Sequence, residues 1–112
     1  MPHYMTTGRY TAEAVNAMLS SPEDRTDHLG GLVRRFGGNL IEYYLVLGDS
    51  DFVLITEFPD NGSALSWAAL LAGDGQFEGI TTKPLIRASD SVALMVKASA
   101  LSAKLAAACP CP

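Results

Sequence analysis

The sequence predicts a single α+β domain, in which a four-stranded antiparallel sheet carries helices on one face and one extra helix follows. Three observations lead to this prediction. The segments have signals for strand, helix, strand, strand, helix, strand and helix, in that order. The turn Gly48-Asp49-Ser50 joins two β-rich runs, which predicts a central hairpin. The 112 residues fit one domain with one hydrophobic core.

Composition narrows the range of functions. Apolar residues make up 48% of the chain, so a folded domain is expected rather than a disordered one. The formal net charge of -4 disfavours a nucleic-acid partner. No run of about 18 apolar residues is present, and the first four residues resemble no signal peptide. We therefore expect a cytoplasmic protein that has no membrane partner.

The chain is predicted to begin with a strand and a short helix. His3 to Gly8 places alternate side chains on opposite faces, as a strand does. Thr11 is a suitable N-cap for a helix from Ala12 to about Leu19, because its hydroxyl oxygen can accept from an N–H group of the first turn.

A second helix is predicted to start at Ser21, with Pro22 in the first helical position and two acidic residues after it. Gly37-Gly38 is expected to end this helix. Gly30-Gly31 inside the helix indicates a bend or a close approach of another backbone. The apolar stripe of the helix is Leu29, Leu32, Val33 and Phe36.

The hairpin is predicted to pair Leu40 to Leu47 with Asp51 to Phe58. In the first strand Leu40, Glu42, Tyr44 and Val46 are expected to share one face, and in the second Phe52, Leu54, Thr56 and Phe58. Neither face of the hairpin is clearly polar, whereas a sheet with one face in water usually alternates apolar and polar residues. We therefore expect the chain's own helices to cover one face and a second subunit to cover the other.

The second half of the chain predicts two more helices and a strand. Asp60 or Asn61 can cap a helix from about Gly62 to Ala72. The last strand, within Phe77 to Ile86, contains Pro84, which places it at an edge of the sheet or at a bulge. The final helix, about Asp90 to Ala107, is apolar on more than one stripe, so it is either deeply packed or shared with another subunit.

Two helices on one face of a four-stranded antiparallel sheet constitute the ferredoxin-like plan. Within this plan the chain resembles the GYD-domain family of small bacterial and archaeal proteins. The resemblance covers roughly residues 2–88. It lies in Gly8-Arg9-Tyr10-Thr11, Ser21-Pro22-Glu23-Asp24-Arg25, Phe36-Gly37-Gly38, the hairpin from Tyr44 to Val53, Glu57 and Pro59-Asp60.

The resemblance implies a fold that pairs through its sheets, similar to the dimeric α+β barrel proteins. Residues 1–108 are accordingly expected to form one domain, with 90–107 as an extra helix and 109–112 as a tail. The tripeptide that defines the family is altered, because Gly48 and Asp51 match its pattern but Ser50 stands where tyrosine is expected. A role of that tyrosine therefore cannot be carried over to this chain, and the family implies little about function.

Six residues are candidates for chemistry. The catalytic candidates are Asp51, Tyr44 and His3, and the ligand-binding candidates are Arg9, Tyr43 and Asp49. The two aspartates flank the hairpin turn, where a carboxylate can act as a base or orient a ligand, or can simply bond backbone N–H groups of the turn. Arg9 follows the first strand and could hold a carboxylate bidentately.

The tyrosines and histidines give weaker signals. Tyr43 and Tyr44 are adjacent on a strand, so they point to opposite faces, and at least one hydroxyl needs a partner in a core or cavity. His3 and His28 form no local metal motif, so we predict neither a metal site nor a cofactor. Trp67 is expected to pack in the core, as part of the buried stripe that its helix forms with Ala64, Ala68 and Leu71.

Cys109 and Cys111 lie at the end of the chain, separated by Pro110. A disulfide between them would be a strained ring, and two thiolates do not complete a zinc site. They are expected to belong to a frayed tail. The alternative is a redox or metal-capturing pair that works only with the tail of a second subunit.

The sequence leaves two main functions open, because it contains none of the compact motifs of phosphate loops, nucleophile elbows or zinc hydrolases. One is an oligomeric module that pairs through its sheet and holds a small apolar or acidic molecule between sheet and helices. The other is a cofactor-free monooxygenase or isomerase, which requires Asp51, a hairpin tyrosine, His3 and Arg9 to converge in one cavity. A regulatory ligand sensor ranks third, since the sequence shows no output domain.

Overall fold

The computed structural model describes the backbone of residues 1–108 and the side chains of residues 1–105. Its elements are β1 (His3–Tyr10), α1 (Ala12–Ser20), α2 (Thr26–Arg35), β2 (Asn39–Leu45), β3 (Phe52–Glu57), α3 (Asn61–Gly73), β4 (Phe77–Leu85) and α4 (Ala88–Ala108). The strands form one antiparallel sheet in the order β2-β3-β1-β4. This is the predicted ferredoxin-like α+β fold with an extra helix. Cys109 and Cys111 lie outside the described residues.

One face of the sheet and the helices α1, α2 and α3 enclose the core. Alternate residues of the two central strands face these helices and are buried, among them Tyr4, Thr6, Phe52 and Leu54. Trp67 of α3 is fully buried, with its ring centre 6.3 Å from that of Phe58. The predicted core stripes of α2 and α3 are thus confirmed.

Several predicted helix ends are confirmed. The Thr11 hydroxyl oxygen accepts from the Ala14 N–H group at 3.2 Å and starts α1. Asp60 Oδ1 accepts from the Ser63 N–H group at 2.8 Å and caps α3. That bond holds the pKa of the Asp60 carboxyl below its ordinary value. Gly37 has a φ of +80°, the left-handed conformation that glycine adopts easily after a helix.

The predicted helix start at Ser21 is wrong. The Ser21 N–H group donates to the Ala17 carbonyl at 3.1 Å and ends α1, so it cannot open the next helix. Arg25 occupies the N-cap position of α2 without a side-chain cap bond, and Oδ1 of Asp24, one residue earlier, accepts from the Thr26 N–H group at 2.9 Å. The first crossover therefore contains two short helices, with residues 21–25 between them.

The hairpin is neither central nor regular. β2 forms one edge of the sheet, and the central strands are β1 and β3. A bulge between Leu40 and Glu42 shifts the register, so that Leu40 pairs with Thr56 while Glu42 pairs with Ile55. Leu40 therefore packs on the core side, and the prediction that it shares a face with Glu42 is wrong. The turn spans residues 46–51, longer than expected, since the Val46 N–H group donates to the Asp51 carbonyl at 3.0 Å.

The last two elements of the chain differ in their contact with the sheet, because β4 belongs to it and α4 does not. β4 is the other edge strand, as Pro84 predicted. α4 leaves the sheet and elongates the molecule to 64 × 31 × 23 Å. Its large apolar side chains are exposed, so the alternative of deep packing within its own chain is excluded.

Candidate functional site

The face of the sheet opposite the helices is uncovered. We call it the open sheet face, and its residues are His3, Met5, Thr7, Glu42, Tyr44, Val53, Ile55, Glu57, Thr81, Lys83 and Leu85. Met5 pairs with Ile55, and Val53 pairs with both Thr7 and Tyr44, so an apolar band crosses the middle of this face. Tyr44 is 53% exposed. This face has the composition of a surface that another molecule covers.

A pair of tyrosines lies on the opposite, helix-covered side. The hydroxyls of Tyr10 and Tyr43 are hydrogen-bonded to each other. The Tyr10 ring packs against Phe52 and Phe77, with ring centres 5.1 and 5.7 Å away. Burial, and then the bond to Tyr43, raises the pKa of Tyr10 far above its ordinary value of 10.0. Tyr10 is therefore protonated at neutral pH and can donate a proton in a hydrogen bond, but it is unsuited to act as a base.

A groove of about 480 Å³ lies between α2 and α3. We call it the α2–α3 groove. Leucines of both helices form its walls, and Phe77 at the start of β4 also lines it. Leu70 is 43% exposed, so the groove opens to solvent. The lining residues are Arg25, His28, Leu29, Leu32, Ala69, Leu70, Leu71, Gly73, Asp74, Gln76 and Phe77. Its volume and apolar character are those of a site for a small organic molecule.

Arg25 provides a permanent positive charge at this groove. It stands directly before α2, and its Nη1 donates to Gln76 Oε1 at 3.0 Å. Among residues 1–105 the one ion pair joins His3 and Glu57, so the Arg25 guanidinium has no carboxylate partner in the described chain. A guanidinium has further N–H donors in a fork that fits a carboxylate.

Arg25 also lines a second cavity, of about 320 Å³, together with Tyr43, Met18, Asp24 and Leu45. Arg25 is close enough to Tyr10 for its charge to oppose the rise in the Tyr10 pKa. The Arg25 guanidinium therefore lines both cavities and also lies close to the tyrosine pair.

Three predicted site residues hold the hairpin turn in place. Asp51 Oδ2 accepts from the Tyr10 N–H group at 3.0 Å, and the Asp51 N–H group donates to the Gly8 carbonyl at 2.8 Å. Arg9 Nε donates to the Asp49 carbonyl at 3.1 Å. The Asp51 carboxylate thus bonds a backbone N–H group of β1, whereas Asp49 contacts Arg9 through its backbone carbonyl and not through its carboxylate.

The other predicted residues are dispersed. His3 lies six residues from Arg9 along β1, a separation of about 20 Å, and its Nε2 is 3.4 Å from Glu57 Oε2. Tyr44 is on the open sheet face, whereas Tyr43 is on the core side. Within this single chain the structure brings Tyr43 and Asp51 to Tyr10, and Arg9 to Asp49, but it leaves His3 and Tyr44 apart from both groups.

Sequence reasoning missed the residues of the α2–α3 groove, Arg25 above all. They come from α2, α3 and the start of β4, and no local motif connects them. One signal was available, because Arg25 ends the segment Ser21-Pro22-Glu23-Asp24-Arg25 that carries part of the family resemblance. A correct helix start at Thr26 would have placed this arginine at a helix terminus beside an apolar wall.

Two further kinds of feature are absent from the residues that the structure describes. No three His, Cys, Asp or Glu side chains there lie close enough together to hold a metal ion. No helix in that part of the chain combines the length and hydropathy of a membrane span.

Comparisons with known proteins agree with this architecture. A family model described as GYD domain matches residues 4–95. The chain is similar in fold to MtbAldR, with a TM-score of 0.55 and 18% identity over 77% of this chain and 52% of that one. It is also similar to TTHA0845 from Thermus thermophilus, with a TM-score of 0.52 and 18% identity over 79% and 96% of the two chains.

A third similar structure is FFRP-DM1, with a TM-score of 0.50 and 15% identity over 77% of this chain and 100% of that one. The present chain spans about half the length of MtbAldR. At these identities the likeness concerns the fold alone. No curated protein sequence matches the chain.

Proposed function

The chain belongs to the GYD domain family, and we propose that this member is a ligand-binding domain that holds a small monocarboxylic acid in the α2–α3 groove and pairs with a second copy through the open sheet face. The observation that carries the ligand proposal is Arg25, a cation without a carboxylate partner among the described residues, at the rim of an apolar groove. A molecule with an apolar body and one acidic group complements both features.

The charges on the rim favour a single negative charge on the ligand. Arg25 attracts an anion, while Asp74 on the same rim repels it. A monocarboxylate can place its acidic group on the guanidinium and its apolar body against the leucines. A dianion would gain little more from one arginine and would be repelled more strongly by the aspartate.

Binding has better support than catalysis. The enzyme alternative needs Asp51, a hairpin tyrosine, His3 and Arg9 in one cavity, and within one chain His3 lies apart from the others, about 20 Å from Arg9 along β1. Tyr10, the titratable group beside the groove whose pKa is most shifted, is held protonated and cannot serve as a base at neutral pH. The side chains around the groove are suited to orienting an acid.

The pairing proposal rests on the open sheet face. Met5, Val53 and Ile55 lie in its centre, and no helix of residues 1–108 packs across them. A face-to-face contact with the same surface of a second copy would bury this band under a two-fold axis.

Isothermal titration calorimetry with octanoate and octanol tests the ligand proposal. Octanoate is expected to bind and octanol to bind more weakly, because a hydrogen bond to a charged group contributes about 1.5–3 kcal/mol. Arg25→Gln should weaken octanoate at least about tenfold and leave octanol unchanged. Arg35→Gln is the matched control, since Arg35 lies at the other end of α2 and outside the groove.

A second variant tests the location of the site. Leu70→Trp places a larger side chain in the groove from an exposed position, so it should reduce the binding of both octanoate and octanol. Equal affinity of octanoate for the wild type and both variants would refute the groove as the ligand site.

A further inference from the structure

α4 is a long helix whose apolar surface has no partner among the described residues of its own chain. It contains 21 residues and is about 31 Å long. Leu94, Leu101 and Leu105 are 51%, 56% and 69% exposed. A helix that is apolar and exposed along its whole length is typical of one that becomes buried in an assembly.

The leucines of α4 follow a heptad spacing. Leu94, Ala98, Leu101 and Leu105 are separated by four, three and four residues, which places them in one stripe along the helix. We call this stripe the leucine seam. Spacings that alternate between four and three are the pattern by which two helices interdigitate their side chains in a supercoil. A flat sheet surface or a small ligand requires no such alternation.

We propose that α4 pairs with α4 of a second copy of this chain, in parallel orientation, through the leucine seam. This goes beyond the proposed function, because α4 takes part in neither the α2–α3 groove nor the open sheet face. It gives the chain a second surface for self-association, at a distance from the sheet.

The charged residues of α4 determine the orientation. Lys97 and Lys104 are seven residues apart and lie along the same flank of the seam. An antiparallel pair would place the lysine flanks of the two helices against each other, while Asp90, seven residues before Lys97 on the same flank, lies outside the seam. A parallel pair places each lysine flank against the flank that carries Met95 and Ser102 of the other copy. The lysines then remain in solvent, and their repulsion is avoided.

The seam is short, covering 11 residues or about 17 Å of helix. A contact of this size buries less than the roughly 1,200–2,000 Å² of a typical stable interface. We therefore expect the α4 pair to strengthen an assembly whose copies are already held near one another, since tethering raises the effective concentration of the helices.

Disulfide crosslinking tests the pair directly in the full chain, in a background in which Cys109 and Cys111 are replaced by serine. Leu101→Cys lies in the seam, and Val96→Cys lies on the opposite side of α4 as the matched control. The native side chains are 56% and 64% exposed, so access to oxidant is comparable. In a glutathione buffer Leu101→Cys should form a disulfide-linked dimer in most chains, and Val96→Cys should remain mostly monomeric on denaturing gels.

The orientation is tested by mixing chains that carry Leu94→Cys with chains that carry Leu105→Cys. Parallel pairing predicts disulfides between like residues, whereas antiparallel pairing predicts Leu94→Cys joined to Leu105→Cys, and mass spectrometry of peptides separates the two. Equal crosslinking at residues 96 and 101, no crosslinking at either, or predominant 94–105 linkage would each overturn the proposal. Circular dichroism of each variant checks folding, which is expected to be retained because the positions are exposed.

The two contacts have separate readouts. The pairing through the open sheet face is measured by the mass of a variant on that face, and the α4 pair is measured by disulfides on α4 in chains whose sheet is unchanged. The α4 pair can therefore fail while the sheet contact is supported, whereas failure of the sheet contact would remove the tethering on which the α4 pair relies.

Discussion

Both faces of the sheet carry apolar side chains on β3, but the two faces meet different surroundings. On the core side of β3, Phe52, Leu54 and Thr56 are each 1% exposed or less. On the open side, Val53 and Ile55 are only partly buried. The same strand therefore contributes to a completed core on one face and to an incomplete one on the other.

The difference shows what an apolar pattern can establish. The absence of apolar–polar alternation along the hairpin shows that both faces contain apolar residues, and burial of such residues is favourable. Three helices of this chain cover one face, while the fourth helix, α4, extends away from the sheet. The remaining apolar surface is what a second copy would cover.

The largest change in the free energy of unfolding is expected from a substitution on the core side of the sheet. Trp67→Ala removes the largest fully buried side chain and should lower the free energy of unfolding by about 3–5 kcal/mol, because the transfer and cavity contributions add. Leu65→Ala, on the exposed side of the same helix, should change it by less than about 0.5 kcal/mol. Urea unfolding at one protein concentration measures the free energy of unfolding of both variants. Similar decreases in the two variants would show that α3 does not pack on the core through Trp67 as described.

A substitution on the open sheet face should change the assembly of the chains rather than their folding. Ile55→Glu puts a charge in the centre of the apolar band and should lower the mass in sedimentation velocity, while the far-UV spectrum is retained. Leu47→Glu is the control, since Leu47 is fully exposed in the hairpin turn and outside this face, and it should leave the mass unchanged. A wild-type monomer at micromolar concentration would contradict the pairing.

A smaller effect on the free energy of unfolding is expected at high pH, and it comes from the buried Tyr10 phenol on the core side. The folded-state pKa of Tyr10 is raised, so its contribution to stability is complete below the ordinary value of 10.0 and is lost as the pH rises above it. The free energy of unfolding of the wild type should therefore decline above about pH 10. In the Tyr10→Phe variant the free energy of unfolding should decline less over the same pH range.

Leu47→Ala is the control for this pH dependence, because Leu47 is fully exposed in the hairpin turn and carries no titratable group. It should follow the wild-type curve in urea unfolding across the pH range in which a phenol ionises. An identical decline in Tyr10→Phe would show that burial of the Tyr10 phenol does not couple to folding.

The smallest effect tests the packing of α2 on the core side. A Cβ atom at Gly31 would meet no atom closer than Arg34 Nη2 at 4.0 Å, so Gly31→Ala should raise the free energy of unfolding by about 0.5–1 kcal/mol. Gly38→Ala should lower it, because its Cβ would lie 2.2 Å from the Glu57 carbonyl oxygen. Thermal unfolding of both variants compares the signs, and a destabilising Gly31→Ala would indicate a constraint on α2 that the single chain does not show.

The site was less predictable from the sequence than the fold. Asp51 and Asp49 were recognised from the turn, and the structure joins both to β1, through the Asp51 carboxylate and the Asp49 backbone carbonyl. Arg25 and Phe77 were missed because they lie far apart in the sequence and meet only when β4 returns beside α2 and α3. A groove formed by three elements leaves no periodic signal in any one of them.

The sequence by itself determined the order of the elements, the caps at Thr11 and Asp60, the end of α2 at Gly37 and the core stripes of α2 and α3. These features are local, because caps and helical spacing depend on residues within one or two turns. The tertiary structure alone decided the bulge after Leu40, the edge position of β2 and the exposure of α4. Each of these depends on which backbone groups and faces find partners far along the chain, and local patterns carry no information about such partners.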